Sequence, residues 1–308
     1  MKVSVVISAY NGKQYIEEQL ESIRTQTRPV DEVLIADDCS TDGTPQLVQD
    51  FIDRHQLAGW HVEVNKENKG WRRNFMEALW ASEGELVFSC DQDDRWDPKK
   101  VELMVGAMTA HPEISILASN FDEFYPDGKH QVGPWPKKKA LFEVPLTDNY
   151  MLVKAPGCTY CVRRSLLNLA KDYWKPDYPH DALLWRLGLF SHGLYALPQP
   201  LHHWRKHETS AFAKESRDLK TIGAKKAWIK VAQTINEDMQ AYVKERVSGD
   251  TEPQLAVLEK NAKWLNRRQR FYNQQTIMAG LNLLPYWGCY PRVRQYPGDW
   301  YLIFVKKK

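Results

Sequence analysis

Three aspartates stand together at the end of a predicted buried strand. The apolar run 86–89 leads into Cys90, and Asp91, Asp93 and Asp94 follow within the next four residues. Three carboxylates at one strand end repel one another unless a cation lies between them, and carboxylate oxygens are ligands that Mg²⁺ and Mn²⁺ prefer. The spacing therefore predicts a site in which Mg²⁺ or Mn²⁺ holds a diphosphate. A solvated, Asp-rich turn is the alternative interpretation.

Asp37 and Asp38 follow the second predicted strand, 33–36, and indicate a nucleotide-binding site. An acid at this place can accept from a ribose hydroxyl in a dinucleotide-binding fold, but that fold needs a Gly-x-Gly-x-x-Gly turn after its first strand. The turn 8–12 that follows the first predicted strand has a single glycine. This excludes a dehydrogenase. The remaining interpretation is that one of these carboxylates accepts a hydrogen bond from the N–H of a nucleotide base, and Tyr10 lies near the same strand edge.

Two further groupings of metal-ligand side chains are weaker. Cys158 and Cys161 form a C-x-x-C pair, but no second pair or suitably spaced histidine accompanies them, which favours packing over a zinc or redox site. Neighbouring His202 and His203 would point to opposite faces of a strand. We therefore expect a site role only for His207.

These residues need a scaffold in which several strand ends meet. Predicted strands alternate with predicted helices along the first 120 residues, the strands being 3–7, 33–36, 61–64, 86–89 and 114–119. This alternation is typical of a mostly parallel α/β sheet, whose ligands bind beyond the carboxyl ends of the strands. From about residue 211 the pattern changes to long helices at 219–247 and 253–279, followed by an aromatic-rich segment.

Charge divides at the same place. The formal net charge is +3, but residues 1–210 carry 24 basic and 30 acidic side chains, whereas residues 211–308 carry 18 and 9. A basic region rich in Trp and Tyr predicts docking on an anionic membrane surface, and a helical extension that only packs on the rest of the chain is the alternative. Nucleic acid is a poor partner because the acidic body repels a polyanion and no nucleic-acid-binding motif is present.

Cysteine content and hydropathy indicate the cytoplasm. Five cysteines are an odd number, and residues 1–7 read as a strand rather than a signal peptide, which fits a reducing compartment. The chain has no run of about 18 apolar residues of the kind that spans a bilayer. We therefore expect a cytoplasmic protein that contacts the inner face of the cell membrane peripherally.

Taken together, the motifs resemble those of the inverting family 2 glycosyltransferases, which have the GT-A fold, and within them a bacterial rhamnosyltransferase-like branch. The resemblance covers residues 1–210 and is carried by seven motifs: Val6–Gly12, Asp37–Thr44, Asn68–Gly70 with Asn74 and Phe75, Asp91–Trp96, Gly157–Thr159, His180 with Asp181, and Pro200–His207. It implies a GT-A catalytic domain at 1–210, with a mostly parallel, Rossmann-like sheet flanked by helices. Residues 211–308 would form a helical C-terminal region.

The resemblance also implies roles for individual residues. Asp181 is expected to be the catalytic base. The remaining residues fall into three groups: the donor nucleotide at Ser8, Ala9, Tyr10, Asp37, Asp38, Asn74 and Asp91; the metal at Asp93, Asp94 and His207; and the donor sugar and acceptor at Gly157, Cys158, Thr159, His180 and Trp185.

We therefore expect a metal-dependent, inverting glycosyltransferase. Transfer from a nucleoside-diphosphate sugar needs a cation that stabilises the departing diphosphate and a base that takes the proton of the attacking hydroxyl. The branch resemblance implies L-rhamnose from dTDP-L-rhamnose as the sugar. It also implies, as the saccharide acceptor, a polyprenyl-diphosphate-linked or growing bacterial surface polysaccharide.

Three alternatives stay open. The first is another donor, such as a UDP-hexose. The second is a nucleotidyltransferase of related fold, although such an enzyme needs a Gly-rich first loop with Arg or Lys, which residues 8–13 do not provide. The third is a non-catalytic carbohydrate-binding scaffold at the membrane, which would need neither the acid cluster nor Asp181.

Overall fold

The computed structural model describes residues 1–125, 127–136, 140–176, 178–206 and 221–306. The chain divides into two units. The first comprises Met1–Val144, Lys154–Gly188 and His192–Lys206, and the second comprises Pro145–Val153, Leu189–Ser191 and the chain after Lys206. The predicted boundary between residues 210 and 211 falls in the range 207–220, outside the described residues, so the division into 1–210 and 211–308 stays a prediction.

Four parallel strands form one half of the sheet in the first unit. They run in the order β3-β2-β1-β4, with β1 at Val3–Ala9, β2 at Glu32–Asp37, β3 at Trp60–Val64 and β4 at Leu86–Asp91. β1, β2 and β4 are Val-, Ile- and Leu-rich and almost wholly buried, as expected for strands covered on both faces. The register pairs Ala9 with Asp37 and Ser8 with Asp91, so three carboxyl ends meet at one edge.

The other half of the sheet is mixed. It comprises β5 (Arg95–Trp96), β6 (Ile116–Phe124), β7 (His130–Val132), β8 (Phe142–Glu143), β9 (Tyr160–Arg163) and β10 (Leu194–Arg205). β9 lies antiparallel between β4 and β6, whereas β10 runs parallel to β6 through a bulge. The sequence predicted the parallel α/β half but not this antiparallel insertion.

Helices flank the sheet as the alternation predicted. They are α1 (Ile16–Arg24), α2 (Thr44–His55), α3 (Trp71–Ala81), α4 (Lys100–Ala110), α5 (Arg164–Ala170) and α6, which begins at His180 and ends at Phe190. In α1 the buried apolar residues Ile16, Leu20 and Ile23 recur at helical spacing and join a core built from β1, β2 and β4. Thus α/β packing fixes the strand ends that carry the predicted site.

The second unit is helical. It comprises α7 (Ile222–Arg246), α8 (Glu252–Gln274), α9 (Ile277–Leu281), a 3₁₀ turn at Leu284–Cys289, α10 (Gln295–Trp300) and a π-helical turn at Tyr301–Val305. The sequence predicted that the second long helix would continue to Ala279, which is wrong: α8 stops because Gln275 adopts a left-handed backbone conformation (φ 53°). Of the helices in the described ranges, none has both the length and the apolar character needed to cross a bilayer.

Candidate active site

Asn74 ties together the ends of the first two strands. Its side-chain amide donates to Ser8 Oγ and to the carbonyl oxygen of Ala36, both at 2.8 Å, and its own oxygen accepts from Asn65 Nδ2 at 2.7 Å. Asn74 is buried at the start of α3, and Ala9 is buried next to Ser8. The predicted donor-nucleotide residues of β1 and α3 therefore lie together, with Asn74 bonded to the scaffold.

The two aspartates after β2 differ in their partners. Both carboxylate oxygens of Asp38 accept from the protein, one from the backbone N–H of Lys69 and the other from that of Gly70, each at 2.8 Å. Asp37 accepts from the backbone N–H of Ser40 through Oδ1, and its buried Oδ2 has no hydrogen-bond partner among the described residues. Asp38 thus organises the loop before α3, and Asp37 is buried with one acceptor that has no partner in the described part of the chain.

Tyr10 and Gln92 join the loop after β1 to the loop after β4. The backbone N–H of Tyr10 donates to Gln92 Oε1 at 2.8 Å, and Gln92 Nε2 donates to the Tyr10 carbonyl oxygen at 3.0 Å. A side chain at Gly12 would collide with Gln92, which explains the single glycine in the first turn. The ring of Tyr10 is half exposed at this edge and presents a flat face on which a base can stack.

The three acids after β4 lie in a crowded, partly desolvated cluster. Burial raises the pKa of Asp91 to about 7, the negative charge of Asp93 adds to this rise, and a hydrogen bond from the Cys158 thiol opposes it. Burial and the charges of Asp93 and Asp91 also raise the pKa of Asp94 well above its usual range. The clustering predicted from the sequence is present, and burial and mutual repulsion favour the protonated acids.

Asp94 is fully enclosed by protein partners. Its Oδ1 accepts from the backbone N–H of Arg205, and its Oδ2 lies 2.8 Å from His202 Nε2. On the other side of the ring, Lys100 Nζ lies 3.1 Å from His202 Nδ1 and donates to the Cys158 carbonyl oxygen at 2.9 Å. An ammonium group only donates, so Nδ1 of His202 accepts and its Nε2–H donates to Asp94.

Lys100, His202 and Asp94 form a hydrogen-bonded relay, and Asp94 also belongs to a cluster of side chains that could hold a metal ion. The ligand atoms of Asp94, Cys158 and His202 lie within 4.8 Å of one another. Burial lowers the pKa of Lys100 to about 8, which leaves the side chain charged at neutral pH, and burial lowers the pKa of His202 well below its usual range. A metal ion in this cluster would face the Lys100 ammonium, which already compensates the charge of Asp94.

The turn at Gly157–Thr159 lies beside the acid cluster. Ser89 Oγ donates to the Gly157 carbonyl oxygen at 2.6 Å, which fixes the turn to β4. A Cβ atom at Gly157 would lie 2.5 Å from His180 Nε2 and 2.9 Å from Asp181 Cβ, so only glycine fits here. The turn therefore brings the start of α6 next to the end of β4.

Cys158 and Thr159 are buried in this turn. Burial raises the pKa of the Cys158 thiol well above its usual range and that of Cys161 to about 12, so neither is a reactive thiolate. Thr159 donates to the Pro156 carbonyl oxygen at 2.7 Å. Both predicted sugar-contact residues thus shape the turn, which agrees with the packing interpretation of the C-x-x-C pair.

Asp181 lies in the first turn of α6 and is partly buried. Its charge contributes to the raised pKa of Asp91, so the two carboxylates interact electrostatically. Asp181 Oδ1 accepts from the backbone N–H of Ala182 at 2.7 Å. The predicted base and the predicted metal-binding acids are therefore brought together.

His180 packs as an aromatic ring. It is buried, stacks on Phe75 with 4.2 Å between centroids, and meets Trp71 edge-on. Within the described part of the chain neither ring nitrogen has a hydrogen-bond partner, and burial lowers the pKa of the ring. His180 thus positions Asp181 by packing, without a hydrogen bond to it.

Trp185 lies in the core of the first unit. It is 1% exposed and packs on Tyr160 in the core, which leaves no surface for a sugar ring. The inward face of α6 buries this side chain, and the sugar contact of Trp185 stays a prediction. His207, the third predicted metal ligand, lies outside the described residues.

Sequence reasoning missed three side chains that build the site: Lys100, His202 and Arg205. Arg205 Nε donates to the Asp93 carbonyl oxygen at 2.7 Å, and its guanidinium packs over the rings of Tyr15 and Phe124. The alternation of β10 placed His202 and His203 on opposite faces, but nothing local indicated that the His202 face meets the acid cluster.

Comparison with known proteins identifies relatives of this chain. A family model for glycosyl transferase family 2 matches residues 4–169. The putative teichuronic acid biosynthesis glycosyltransferase TuaG of Bacillus subtilis is 38% identical over 100 residues, which are 32% of this chain and 39% of TuaG. The dTDP-rhamnosyl transferase RfbG of Shigella flexneri is 28% identical over 166 residues, which are 52% of this chain and 55% of RfbG.

The matched segments cover only 37–39% of the first curated relatives. Among solved structures, the crystal structure of S. aureus TarS 1-349 in complex with UDP-GlcNAc has a TM-score of 0.66 and 21% sequence identity. The match covers 98% of this chain and 79% of that chain. This likeness confirms the predicted GT-A fold.

Proposed function

The chain belongs to glycosyl transferase family 2, and from that premise we propose that it transfers a sugar from a nucleoside diphosphate to a saccharide acceptor with inversion. One observation carries the proposal: the turn at Gly157 brings Asp181 next to the acid cluster that begins at Asp91. A carbohydrate-binding scaffold needs neither group, and a nucleotidyltransferase needs no base on an acceptor hydroxyl.

The nucleoside would lie across the ends of β1 and β2. The unpartnered Oδ2 of Asp37 supports a contact with a base N–H, and the exposed ring of Tyr10 supports stacking on the same base. Ser8, Ala9, Asp38 and Asn74 would form the floor and walls of this position. Asp91, one strand further along the edge, would lie near the ribose.

The donor set fits a divalent cation. Asp91 and Asp93 supply hard carboxylate oxygens, and burial together with the charge of Asp93 raises the pKa of Asp91. Bound Mg²⁺ or Mn²⁺ would stabilise the negative charge of the departing diphosphate. We propose Asp93 as its main protein ligand, with Asp94 in the relay to His202 and Lys100 holding the loop that presents Asp93.

Asp181 would act as the general base. A carboxylate that takes the proton of the attacking hydroxyl from the face opposite the leaving group gives a single displacement, and hence inversion. Its place in the first turn of α6, held by Gly157 and the packed ring of His180, supports a fixed orientation. Such a fixed base is needed because small misplacements of reacting groups cost large factors in rate.

For the donor we propose dTDP-L-rhamnose, with a UDP-hexose as the alternative. The similarity to RfbG, which is named as a dTDP-rhamnosyl transferase, supports the first choice. For the acceptor we propose a bacterial surface polysaccharide carried on a polyprenyl diphosphate. That acceptor would place the protein at the inner face of the cell membrane.

A donor panel tests this function. We would incubate the full chain with dTDP-L-rhamnose, UDP-GlcNAc, UDP-glucose and GDP-mannose, with Mg²⁺, Mn²⁺ or chelator, and measure released nucleoside diphosphate with and without lipid-linked acceptor. We expect metal-dependent release from one donor that the acceptor accelerates. Binding and turnover of none of these donors in any condition would overturn the glycosyltransferase proposal, and preference for a UDP-sugar would overturn only the rhamnose assignment.

A further inference from the structure

The end of the second unit concentrates exposed apolar side chains. Thirteen large hydrophobic side chains are exposed among the described residues, and eight of them lie between residues 277 and 305, with 44–66% of each exposed. We call these eight the C-terminal apolar surface: Ile277, Met278, Leu281, Leu284, Trp287, Val293, Tyr301 and Val305. Concentrations of exposed apolar area mark sites that another body covers.

Buried contacts hold the segment that carries this surface. Gly280 in α9 lies against the ring of Trp300 in α10, and Tyr296 Oη donates to the Gly280 carbonyl oxygen at 3.2 Å. Asp299 is buried and accepts two hydrogen bonds from the buried guanidinium of Arg268, at 2.7 and 2.8 Å. The exposed side chains therefore belong to a built structure rather than to an unpacked tail.

The segment that carries the C-terminal apolar surface has exposed charges of one sign. Between residues 275 and 306, all of which are described, the exposed charged side chains are Arg292, Arg294 and Lys306. The single acidic residue in this range is Asp299, whose charge is buried against Arg268. The segment thus offers aliphatic and aromatic groups next to cations. The carboxylate of Asp148, which lies near Gly288, is paired with Lys260 Nζ at 2.5 Å.

We propose that the C-terminal apolar surface, with Arg292, Arg294 and Lys306, docks the protein on an anionic lipid membrane. Leucine, isoleucine and methionine enter the acyl boundary, tryptophan and tyrosine favour the interface, and the cations complement anionic headgroups. The inference deepens the proposed function, and it rests on that function for the lipid-linked acceptor that such a membrane would carry.

Two other occupants fit less well. A second copy joined through a twofold axis would bring the same cations of both copies to one interface, where they repel. Single-stranded nucleic acid is bound through grooves in which aromatic rings stack on bases, whereas most of the C-terminal apolar surface is aliphatic. The charge and the side-chain types together favour lipid.

Vesicle co-sedimentation of the full chain tests the proposal. The probe would be vesicles of phosphatidylcholine alone and vesicles that also contain phosphatidylglycerol, at low and at high salt, without nucleotide sugar. We expect binding to the anionic vesicles that weakens with salt. The paired change Arg292→Gln with Arg294→Gln should lower the partition by about 25-fold, since each cation near an anionic surface contributes a factor of about five.

Apolar and control variants complete the design. Leu284→Ala with Trp287→Ala should lower the partition by about tenfold or more, through lost apolar burial. Matched controls lie on α7 of the same unit, where Lys230→Gln removes an exposed cation and Val231→Ala truncates a side chain that is 43% exposed. Both controls should bind as the wild type does.

The outcomes are separable. Absence of binding to anionic vesicles at low salt, or equal losses in the α7 controls, would overturn the docking proposal. A second result would also overturn it. If the wild type is a dimer in size-exclusion chromatography, and the Leu284→Ala, Trp287→Ala variant loses the dimer but still binds vesicles, a second copy rather than lipid covers the surface. Donor turnover with a soluble acceptor is measured separately, so vesicle binding by a chain that turns over no donor contradicts only the proposed function.

Discussion

Replacing Asp91 with asparagine should stabilise the metal-free protein at neutral pH and lower its transfer activity. In the folded state Asp91 is partly buried and faces the charges of Asp93 and Asp181, which together with burial raise its pKa from 3.8 to about 7. Asparagine has nearly the same shape, can still accept from the Cys158 thiol, and carries no charge that needs compensation. We therefore expect a site residue whose removal improves stability.

The size and sign of the effect follow from proton linkage. Between about pH 4 and about pH 7 the folded protein holds a proton on Asp91 that the unfolded chain has released, so the wild type loses stability as pH rises through this window. At about pH 8 the full penalty is present, and a pKa rise from 3.8 to about 7 corresponds to at most roughly 4 kcal/mol. Asp91→Asn escapes this penalty, so its advantage grows with pH.

Urea unfolding in the presence of a chelator, at about pH 5 and about pH 8, measures this difference. The advantage of Asp91→Asn should be larger at the higher pH, and added Mg²⁺ or Mn²⁺ should raise the stability of the wild type more than that of the variant. Asp53→Asn, at an exposed position on α2, is the matched control and should change little. If Asp91→Asn is no more stable than the wild type at the higher pH, the account of the acid cluster is refuted.

Three further predictions follow from buried contacts. Arg268→Met leaves Asp299 buried without a counter-ion and should cost about 3–5 kcal/mol in the unfolding of the second unit, measured with urea. Gly157→Ala forces apart the turn and the start of α6, and should lower the transfer rate by about tenfold or more with donor affinity kept, measured by steady-state kinetics and calorimetry. His202→Phe removes a hydrogen bond to the buried carboxylate of Asp94 and should cost about 2–3 kcal/mol, measured with urea at neutral pH.

Each of these three predictions has a control or an outcome that would contradict it. The neighbouring His203→Phe alters a partly exposed side chain on the opposite face of β10 and should change stability little, so equal losses at the two histidines would contradict the relay. Unchanged kinetics in Gly157→Ala would contradict the contact with Asp181. A stability loss in Arg268→Met that is no larger than at the exposed Arg267 would contradict the buried ion pair.

The strand-end residues were predictable because the local signal is strong. Buried Val- and Ile-rich runs that end in polar residues gave β1, β2 and β4, and parallel pairing then brings Ser8, Asp37 and Asp91 to one edge without further information. The antiparallel strand β9 was not predictable in this way. Its place between β4 and β6 depends on pairing partners far apart in sequence.

The contacts of Lys100 and His202 could not be predicted from local sequence patterns. Lys100 follows Asp97, Pro98 and Lys99, a polar sequence that indicates a solvated helix start, yet its side chain is fully buried beside Trp96 and His202. Period-two alternation separated the two histidines of β10 correctly, but it could not tell which face meets the acid cluster. Such information comes from tertiary packing alone.

The most direct test of the central claim measures the transfer rate and the donor affinity of Asp181→Asn separately. Asp53→Asn serves as a surface control. We expect the transfer rate with the accepted donor to fall by about 10²–10⁴-fold, the usual contribution of a general base, with donor binding unchanged. Full transfer activity in Asp181→Asn would contradict the assignment of Asp181 as the base.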